Sequence, residues 1–375
     1  MAGIYIHIPF CKQACHYCDF HFSTAKTYTA QMVEALVLEM IMRKNELENE
    51  IIETIYFGGG TPSILSVEQI KILLDTVYHH YQVIENPEIT LEANPDDLSE
   101  DKILQLSQTK INRLSIGIQS FFEEDLKIMN RAHNVQEAKN CLQIATKYFK
   151  NITLDLIYGM PNMSVERWQQ NIQTVLDFNI PHISCYALTV EPKTALQKLI
   201  QKGMISEPSD EVTQQHFQVL KTTLERKGFV HYELSNFGKE GFFSVNNSNY
   251  WKGKKYLGIG PSAHSFNGQE RSWNVSNNQL YMKGIQQNQL PSEKEILTQT
   301  DLYNESVMTG LRTMWGISLN EIETQLGKKY SDYLRKQSEK FTEQGFLILQ
   351  DEVLKTTLKG LFLTDGISSD LFMIN

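Results

Sequence analysis

The chain has 375 residues, a formal net charge of −9 and no uninterrupted apolar run of about 18 residues. This length allows a large core and two or three domains, and the acidic balance argues against nucleic acid as the principal partner. No basic and apolar export signal follows Met1, so we expect a cytoplasmic protein without a membrane span. The five cysteines, three of them clustered, are not typical of a disulfide framework.

The first predicted strand, residues 4–8, is followed closely by three cysteines. Cys11, Cys15 and Cys18 have the spacing C-x3-C-x2-C, and no fourth cysteine lies nearby in the sequence. Three thiolates can bind three irons of a [4Fe–4S] cube, whose full complement is four ligands. The pattern therefore predicts a cluster with one iron left for a ligand that does not come from the protein.

Two other roles for these cysteines remain open. A structural zinc site needs four ligands, and a nearby histidine could supply the fourth. These histidines are His7, His16 and His21. A redox dithiol of Cys15 and Cys18 would leave Cys11 without a role. The other two cysteines, Cys141 and Cys185, lie in apolar contexts that are typical of buried thiols.

Short β-rich segments alternate with helical segments along the first half of the chain. The predicted strands cover residues 4–8, 54–57, 88–92, 113–118, 153–158 and 183–188. One intervening helix covers about residues 29–43, and another begins after Ser66, a predicted N-cap with Gln69 three residues on. These βα units predict an α/β protein with an incomplete (β/α)6 barrel rather than an open doubly wound sheet. In either architecture, functional residues gather where the strands end.

Polar or glycine-rich segments follow most of these predicted strands. In the segment GGGTP, residues 58–62, glycines would let backbone N–H groups approach a ligand, with a tight turn that binds nothing as the alternative. The polar residues near the next strand ends are Glu92, Gln119, Arg131 and Asp155. Asp155 lies in an apolar strand, so it is expected to pair with Arg131 or to bind a ligand. The functional interpretation is that all four surround a ligand with ribose hydroxyls, an amine and a carboxylate.

These motifs together resemble the radical S-adenosylmethionine (SAM) superfamily, and within it the oxygen-independent coproporphyrinogen dehydrogenase group. The matching segments are YIHIPFC (5–11), the three-cysteine motif, GGGTP (58–62), LE (91–92), GIQ (117–119), NR (130–131) and DLIYGMP (155–161). The resemblance implies a [4Fe–4S] cluster on the three cysteines, with the amine and carboxylate of SAM on the open iron. In that superfamily an electron from the reduced cluster cleaves SAM to a 5′-deoxyadenosyl radical, so an electron donor is an implied partner.

The resemblance also implies roles for single residues. The expected cofactor contacts are Tyr5 and Tyr17 beside the cluster, Gly59, Gly60 and Thr61 at the amine end of SAM, and Glu92 on the first SAM molecule. Gln119, Arg131 and Asp155 match positions that hold a second SAM molecule in the dehydrogenases, so one or two molecules remain open. His264 is expected either to contact a cofactor or to have a structural role.

One departure from the dehydrogenase pattern bears on activity. The dehydrogenases have a further cysteine two positions after the third, where this chain has Phe20. In this respect the chain is similar to the HemW-type haem chaperones, close relatives without the decarboxylase activity. The resemblance therefore implies haem as cargo and apo-haemoproteins as recipients, including a membrane haemoprotein reached by peripheral contact. Oxidative decarboxylation of coproporphyrinogen III to protoporphyrinogen IX is the alternative, and a zinc-structured binding protein is the second alternative.

A second motif, NNSNYW at residues 246–251, precedes YLGIGPSAH at residues 256–264. The chaperones have His-Asn-x-x-Tyr-Trp at the first motif and use that region for haem, whereas this chain has Asn246 at the histidine position. Asparagine is a poor iron ligand compared with imidazole, which leaves other candidates for the axial ligand. These candidates are His231, His264 and Cys185. The expected haem contacts are Asn247, Tyr250 and Trp251, with aromatic packing as the alternative.

Three lysines follow this motif, and the sequence pattern changes past residue 290. Lys252, Lys254 and Lys255 could meet haem propionates or form a solvated loop. Beyond residue 290, predicted helices cover residues 297–311, 319–326 and 331–344, and predicted strands cover residues 346–349 and 358–363.

These patterns predict three regions. They are a radical-SAM partial barrel over residues 1–235, a connecting segment over residues 236–290 and a small winged-helix-like α+β domain over residues 291–375. The last region carries more acidic than basic residues, so we expect it to cover the barrel mouth or a partner surface rather than to read DNA.

Overall fold

Six parallel strands, paired in chain order, form the centre of the fold. In this computed structural model, which describes residues 1–374, they belong to a 12-stranded sheet. Their bounds are β1 Ala2–Ile8, β2 Ile52–Gly59, β3 Val83–Ala93, β4 Arg113–Gln119, β5 Asn151–Tyr158 and β6 His182–Ala187. Each strand pairs in parallel with the next. The predicted α/β class and the six predicted strands are confirmed, although β3 begins five residues earlier than expected.

Helices follow these strands and pack into one hydrophobic core with them. Their bounds are α1 Thr29–Met42, α2 Val67–His80, α3 Glu100–Ser107, α4 Glu123–Ile128, α5 Val135–Tyr148, α6 Val165–Asp177, α7 Ala195–Gln201 and α8 Asp210–Arg226. At the start of α2, the Ser66 side chain accepts a hydrogen bond from Gln69 N–H, and Ser66 N–H donates to the Gln69 side chain. This capping box, which the sequence predicts, sets the residue at which the helix begins.

The segment after α8 adds strands to both edges of the parallel core. The strands are β7 Val230–Glu233, β8 Asn236–Gly238, β9 Tyr256–Ile259, β10 His264–Phe266, β11 Glu270–Asn274 and β12 Ser292–Ile296, and the helices are α9 Val245–Trp251 and α10 Asn278–Gln286. On one edge β8 pairs antiparallel with β6, and on the other β9 pairs parallel with β1. Residues 236–290 therefore continue the main sheet at both ends, with α9 between the two additions.

The last part of the chain forms a small α+β domain with its own hydrophobic core, drawn from residues 303–373. Its elements are α11 Gln299–Gly310, β13 Ile317–Ser318, α12 Leu319–Leu326, α13 Lys328–Glu343, β14 Leu347–Gln350, β15 Val353–Thr356 and α14 Thr364–Leu371. Within residues 1–374, no helix combines the length and the apolar character that crossing a bilayer would require.

The predicted strand over residues 358–363 is wrong. The second strand of the hairpin is β15, which follows β14 after only two residues, Asp351 and Glu352. Both of these residues have positive φ angles, 51° and 61°, as a tight two-residue hairpin turn requires. The turn lacks the glycine or asparagine that usually marks such turns in a sequence. Leu361–Leu363 instead form one turn of 3-10 helix.

Candidate functional site

The three cysteines lie on the loop that follows β1, and this loop is fastened to the segment after α4. The His16 N–H donates to the Met129 carbonyl at 3.1 Å, and Gln13 Nε2 donates to Asn130 Oδ1 at 2.8 Å. Asn130 Nδ2 in turn donates to the Ala14 carbonyl at 2.8 Å. The cysteine loop is thereby held beside the C-terminal ends of the parallel strands, which is the end that the sequence motifs indicate.

Two side chains from other loops donate hydrogen bonds to cysteine sulfurs. Thr61 Oγ1 lies 3.4 Å from Cys11 Sγ, and Arg131 Nη1 lies 3.3 Å from Cys15 Sγ. Burial raises the pKa of the Cys11 thiol and raises that of Cys18 to about 11, whereas a bound metal ion deprotonates a coordinating thiol. Three free, half-buried thiols with hydrogen-bond donors to sulfur fit an iron–sulfur cluster, in which such donors tune the potential.

The arrangement of the other possible ligands bears on the zinc alternative. Within residues 1–374, no three side chains of His, Cys, Asp or Glu surround a point that could hold one metal ion. A cube places each thiolate on a different iron, so its ligands need not meet at one point. The ring nitrogens of His7 face the Tyr5 hydroxyl at 3.3 Å and the His21 carbonyl at 3.1 Å, and His16 Nδ1 faces the Ile128 carbonyl at 2.9 Å. These histidines therefore hold the loop through hydrogen bonds.

Arg131 links the cysteine loop to the ends of β3 and β4. Its Nη2 donates to Asn94 Oδ1 at 2.6 Å and to the Gly117 carbonyl at 2.8 Å, and its Nη1 lies 3.4 Å from the Tyr17 hydroxyl. Gln119 belongs to the same group, since a Cβ added to Gly117 would come within 2.8 Å of Gln119 Nε2. Gln119 also has a φ of 68°, and such strained backbone in a residue other than glycine clusters at functional sites.

A second polar group lies in the barrel around Glu92 and Asp155. The Tyr56 hydroxyl donates to Glu92 Oε1 at 2.7 Å, and the Ser115 hydroxyl lies 3.4 Å from both carboxylate oxygens of Asp155. Burial raises the pKa of Glu92 to about 7 and that of Asp155 to about 6. The ion pairs within residues 1–374 do not include Asp155 with Arg131, whose guanidinium faces the cysteine loop instead. Two carboxyl groups with pKa values near neutral pH can accept hydrogen bonds from a polar ligand when ionised and donate them when protonated.

The glycine run after β2 packs against the backbone of β1 and the cysteine loop. A Cβ added to Gly59 would lie 2.6 Å from the His7 ring, and one added to Gly60 would lie 2.7 Å from the Phe10 carbonyl. Gly59 also has a φ of +104°, which other residues rarely adopt. Close packing between neighbouring strands is thus sufficient to require these glycines. Their contact with the amine end of SAM stays a prediction.

A cavity of about 770 Å³ connects the cofactor end of the barrel with the NNSNYW segment. Of the residues expected at the cofactors or at haem, its lining includes Tyr5, Gly59, Glu92, Asn247, Tyr250, Trp251 and His264. Phe20, whose side chain is 70% exposed, lines the cavity from the cysteine loop. A second set surrounds the cysteine loop through the contacts described above: Tyr17, Thr61, Gln119 and Arg131. The structure therefore places the three predicted haem contacts and four of the predicted cofactor contacts along one cavity, whereas the set around the cysteine loop does not line it.

The NNSNYW segment is helix α9, and its first turn is bound to β3. The backbone N–H groups of Val245 and Asn246 each donate to a carboxylate oxygen of Glu88 at 2.9 Å. A carboxylate in this position satisfies free donors of the helix and complements its dipole. The Asn246 side chain accepts a hydrogen bond from Thr54 Oγ1 at 3.1 Å. Asn246 is therefore held against β2 inside the barrel.

The other candidate haem ligands differ in accessibility. Cys185 is 2% exposed, and His231 stacks on Phe237 with ring centroids 4.4 Å apart. His264 is exposed at the cavity and lies beside Trp273, with ring centroids 6.1 Å apart. The lysines also have partners: Lys254 pairs with Glu53 at 2.7 Å, Lys255 pairs with Glu50 at 3.3 Å, and Lys252 lies over the Trp315 ring at 4.2 Å.

The sequence reasoning missed Asn94, Tyr56 and Glu88. Asn94 lies two residues after Glu92, so its position at a strand end was a usable signal. Tyr56 contacts Glu92 only because β2 and β3 pair in a register that sets Tyr56 opposite Thr90. Glu88 caps a helix that begins 157 residues later in the chain. The last two roles depend on register and tertiary packing, which the sequence pattern does not specify.

A six-stranded parallel partial barrel with three cysteines on the loop after β1 defines a radical SAM protein. The sequence model of the Radical SAM superfamily matches residues 5–175, and that of the HemN C-terminal domain matches residues 297–363. Membership of this superfamily implies a [4Fe–4S] cluster and SAM as cofactors.

Comparison with known proteins defines the family more closely. The chain is 33% identical to the heme chaperone HemW of Bacillus subtilis, over 97% of both chains, and 32% identical to that of Lactococcus lactis, over 97% of this chain and 95% of the relative. The structure of HemN, the coproporphyrinogen III oxidase of Escherichia coli and a radical SAM enzyme, has the same fold. The match has a TM-score of 0.86 and 23% identity and covers 99% of this chain and 90% of HemN. The chain belongs to the HemW family of radical SAM proteins.

Proposed function

We propose that this protein is a cytoplasmic haem chaperone that binds haem and delivers it to apo-haemoproteins. Cys11, Cys15 and Cys18 hold three irons of the cluster, and SAM binds at the fourth iron. Apo-haemoproteins and an electron donor for the cluster are its protein partners. The full-length similarity to relatives named heme chaperone HemW supports this function.

The observation that carries the proposal is Phe20. Where the coproporphyrinogen dehydrogenases have a further cysteine, this chain presents a phenyl ring that is 70% exposed and lines the cavity. A phenyl ring supplies neither a thiolate nor a proton, but it offers an apolar surface to a planar ligand. The cavity volume of about 770 Å³ also lies in the range of sites for cofactor-sized ligands.

The residues around the cysteine loop have positioning roles in this proposal. Arg131, already directed at Cys15 and Asn94, holds the carboxylate of SAM, and Gln119 lies beside it. Glu92, held by the Tyr56 hydroxyl, contacts the SAM molecule at the cluster. Asp155 contacts SAM within the barrel. The number of SAM molecules bound to each chain is left to experiment.

The test uses the full chain, reconstituted anaerobically with iron and sulfide. We expect saturable haem binding, transfer of haem to apomyoglobin, and no vinyl product after incubation with coproporphyrinogen III, SAM and dithionite. Radiolabelled SAM measures how many molecules bind to each chain. A Phe20→Cys variant is the matched comparison for the missing cysteine.

Three outcomes would contradict the proposal. Formation of protoporphyrinogen IX by the unmodified chain would favour the dehydrogenase alternative. Bound zinc in place of an iron–sulfur absorption band, after anaerobic preparation with both metals available, would favour the zinc-structured alternative. Failure of the unmodified chain to bind haem at all would also overturn the chaperone function.

A further inference from the structure

Haem binding requires an iron ligand, and Asn246 is poorly placed to supply one. The side-chain oxygen of Asn246 accepts a hydrogen bond from Thr54, and its backbone N–H is bound to Glu88. A carboxamide is in any case a weak ligand for haem iron, which is usually held by imidazole, thiolate, thioether or phenolate. If this chain carries haem, a different residue at the cavity has to provide the axial ligand.

Three histidines line the cavity, and only one of them has a free ring. His7 uses both ring nitrogens in contacts with Tyr5 and with the His21 carbonyl. His21 uses Nε2 in a hydrogen bond to Asn278 at 2.8 Å. Neither ring nitrogen of His264 has a hydrogen-bond partner within residues 1–374, and His264 is exposed to the cavity. Among the described residues His21 Nδ1 also has no hydrogen-bond partner, but His21 is less exposed and lies beside the His7 ring at the cysteine loop. Because unpaired imidazole nitrogens are available to bind a metal, the exposed His264 is the accessible ligand on the α9 side of the cavity.

The sheet extension around His264 suits a flat aromatic ligand with acidic groups. His264 lies opposite Trp273 in the pairing of β10 with β11, and Arg271 lies on the same face two residues away. Tyr256, on the neighbouring strand β9, and Tyr250 of α9 also line this part of the cavity. Aromatic rings can stack on a porphyrin plane, and the guanidinium can bind a carboxylate.

The charges around the cavity favour a ligand with two carboxylates. Lys254, Lys255 and Arg271 line it, whereas burial raises the pKa values of its two acidic residues, Glu92 and Glu233, to about 7. Each cation is paired with a glutamate, yet the side chains of Lys254, Lys255 and Arg271 are still 31–35% exposed. The exposed part of each cation therefore remains open to a propionate.

We propose that His264 is the axial ligand of the haem iron, with the porphyrin lying in the cavity between α9 and the β9–β11 extension. The propionates bind at Lys254, Lys255 and Arg271. The neutral imidazole binds iron through a nitrogen lone pair, and burial together with the charge of Arg271 keeps its pKa below the usual value. This assignment rests on the proposed haem-carrying function and places the ligand outside the NNSNYW motif.

The test compares His264→Ala with His79→Ala in the full, reconstituted chain. His79 is an exposed histidine on α2 that does not line the cavity, so it controls for the loss of a surface imidazole. Each variant is titrated with ferric haem, and the Soret band and the EPR spectrum report the axial ligand. We expect His264→Ala to weaken haem affinity by at least about tenfold. Mutating a residue that only supports a metal ligand already weakens metal binding by about 10- to 100-fold, so loss of the ligand itself should cost at least the smaller of these factors. Added imidazole should restore the Soret position, and His79→Ala should match the unmodified chain.

A His264→Tyr variant keeps the assignment testable if the alanine variant is unstable. It should bind haem with the charge-transfer band of a phenolate ligand. Unchanged haem affinity and an unchanged EPR spectrum in His264→Ala would overturn the assignment while leaving the chaperone function standing. Absence of haem binding in the unmodified chain would overturn both.

Discussion

The two ends of the cavity are built in different ways. At the cofactor end, the polar side chains come from the ends of consecutive parallel strands and touch one another, as Glu92 does with Tyr56. At the α9 end, they come from a seven-residue helix and from the added edge strands, and the C-terminal domain packs against this end without lining the cavity. There Arg312 lies 5.9 Å over the Trp251 ring, and the Met314 N–H donates to the Tyr232 carbonyl at 3.0 Å.

This difference indicates which part of the structure can adapt to a ligand. Strand register fixes the cofactor end, because a shift in pairing would move every side chain of the strand. The α9 end is built from short elements, a seven-residue helix and strands of three to five residues, and has exposed rings such as Tyr250, which is 51% exposed. We therefore expect a rigid cofactor end and a more deformable α9 end, which the proposed binding and release of haem would require.

The largest effect is expected at the cofactor end, from Cys15→Ser. Serine does not replace a thiolate ligand of iron, so two cysteines would remain for the cube. We expect the anaerobically reconstituted variant to lose the iron–sulfur absorption and the EPR signal of the reduced cluster. Iron and sulfide content per chain is the quantitative measurement.

Cys141→Ser is the matched control for that change. Cys141 lies on α5, is 3% exposed and is not part of the cysteine loop. The cluster content of Cys141→Ser should therefore equal that of the unmodified chain. An iron–sulfur spectrum retained by Cys15→Ser would refute the assignment of the three-cysteine motif.

Replacement of Glu88, which anchors α9, is expected to have the next largest effect. Glu88 binds the first turn of α9, and its carboxylate lies 3.8 Å from Nε of the buried Arg113. Glu88→Ala leaves that guanidinium without its acidic partner, and breaking a buried pair costs about 3–5 kcal/mol. We expect the free energy of unfolding in urea to fall by about this amount. Glu85→Ala, an exposed change on the same strand, should stay within about 0.5 kcal/mol.

Cluster content in Glu88→Ala then tests the comparison itself. If the two ends are independent, the folded variant should still assemble a full cluster. A parallel loss of cluster and of stability would mean that α9 supports the whole barrel, and the contrast between the two ends would be wrong.

The sequence predicted the cofactor end better than the α9 end for a physical reason. A residue at the end of a parallel strand lies at one edge of the sheet whatever the exact register, so Glu92 and Gln119 could be placed at the same edge in advance. Pairing of Asp155 with Arg131, one of its two expected roles, does not occur, because the guanidinium of Arg131 contacts Cys15 and Asn94.

At the α9 end, the composition of the NNSNYW motif indicated a functional segment but not its neighbours. Glu88 and Thr54, which hold its first turn, lie more than 150 residues away in the sequence. The C-terminal hairpin illustrates the same limit, since the turn at Asp351 and Glu352 has the required φ angles without the glycine that usually takes the second position. Such contacts are decided by tertiary packing rather than by local pattern.

Titration of Glu92 gives a further test of the cofactor end. Its pKa is raised from 4.5 to about 7 by burial, so the folded chain holds a proton between these pH values that the unfolded chain has lost. The free energy of unfolding should therefore fall as pH rises through this window, by up to about 3 kcal/mol, and level off above about pH 7.

Glu92→Gln should lack this part of the pH dependence. Glu233, whose pKa is also raised to about 7, is present in both proteins and cancels in the difference between the two pH profiles. Asp155 interacts with Glu92, so this difference reports Glu92 together with its coupling to Asp155. Parallel profiles from pH 4.5 to 7 would show that Glu92 ionises normally and that the cofactor end is more hydrated than its burial indicates.

The smallest effect is expected from Phe20→Ala, which lies on the cysteine loop but faces the cavity. Because Phe20 is 70% exposed, its removal should change the free energy of unfolding by less than about 0.5 kcal/mol and leave the cluster content unchanged. A lost aromatic contact with haem contributes about 1 kcal/mol, so haem affinity should fall by less than about tenfold. Phe20→Tyr should retain that affinity because it keeps the ring. Equal haem affinity in all three proteins, with intact clusters, would show that the cysteine loop does not contact haem. The proposed haem site would then be confined to the α9 end.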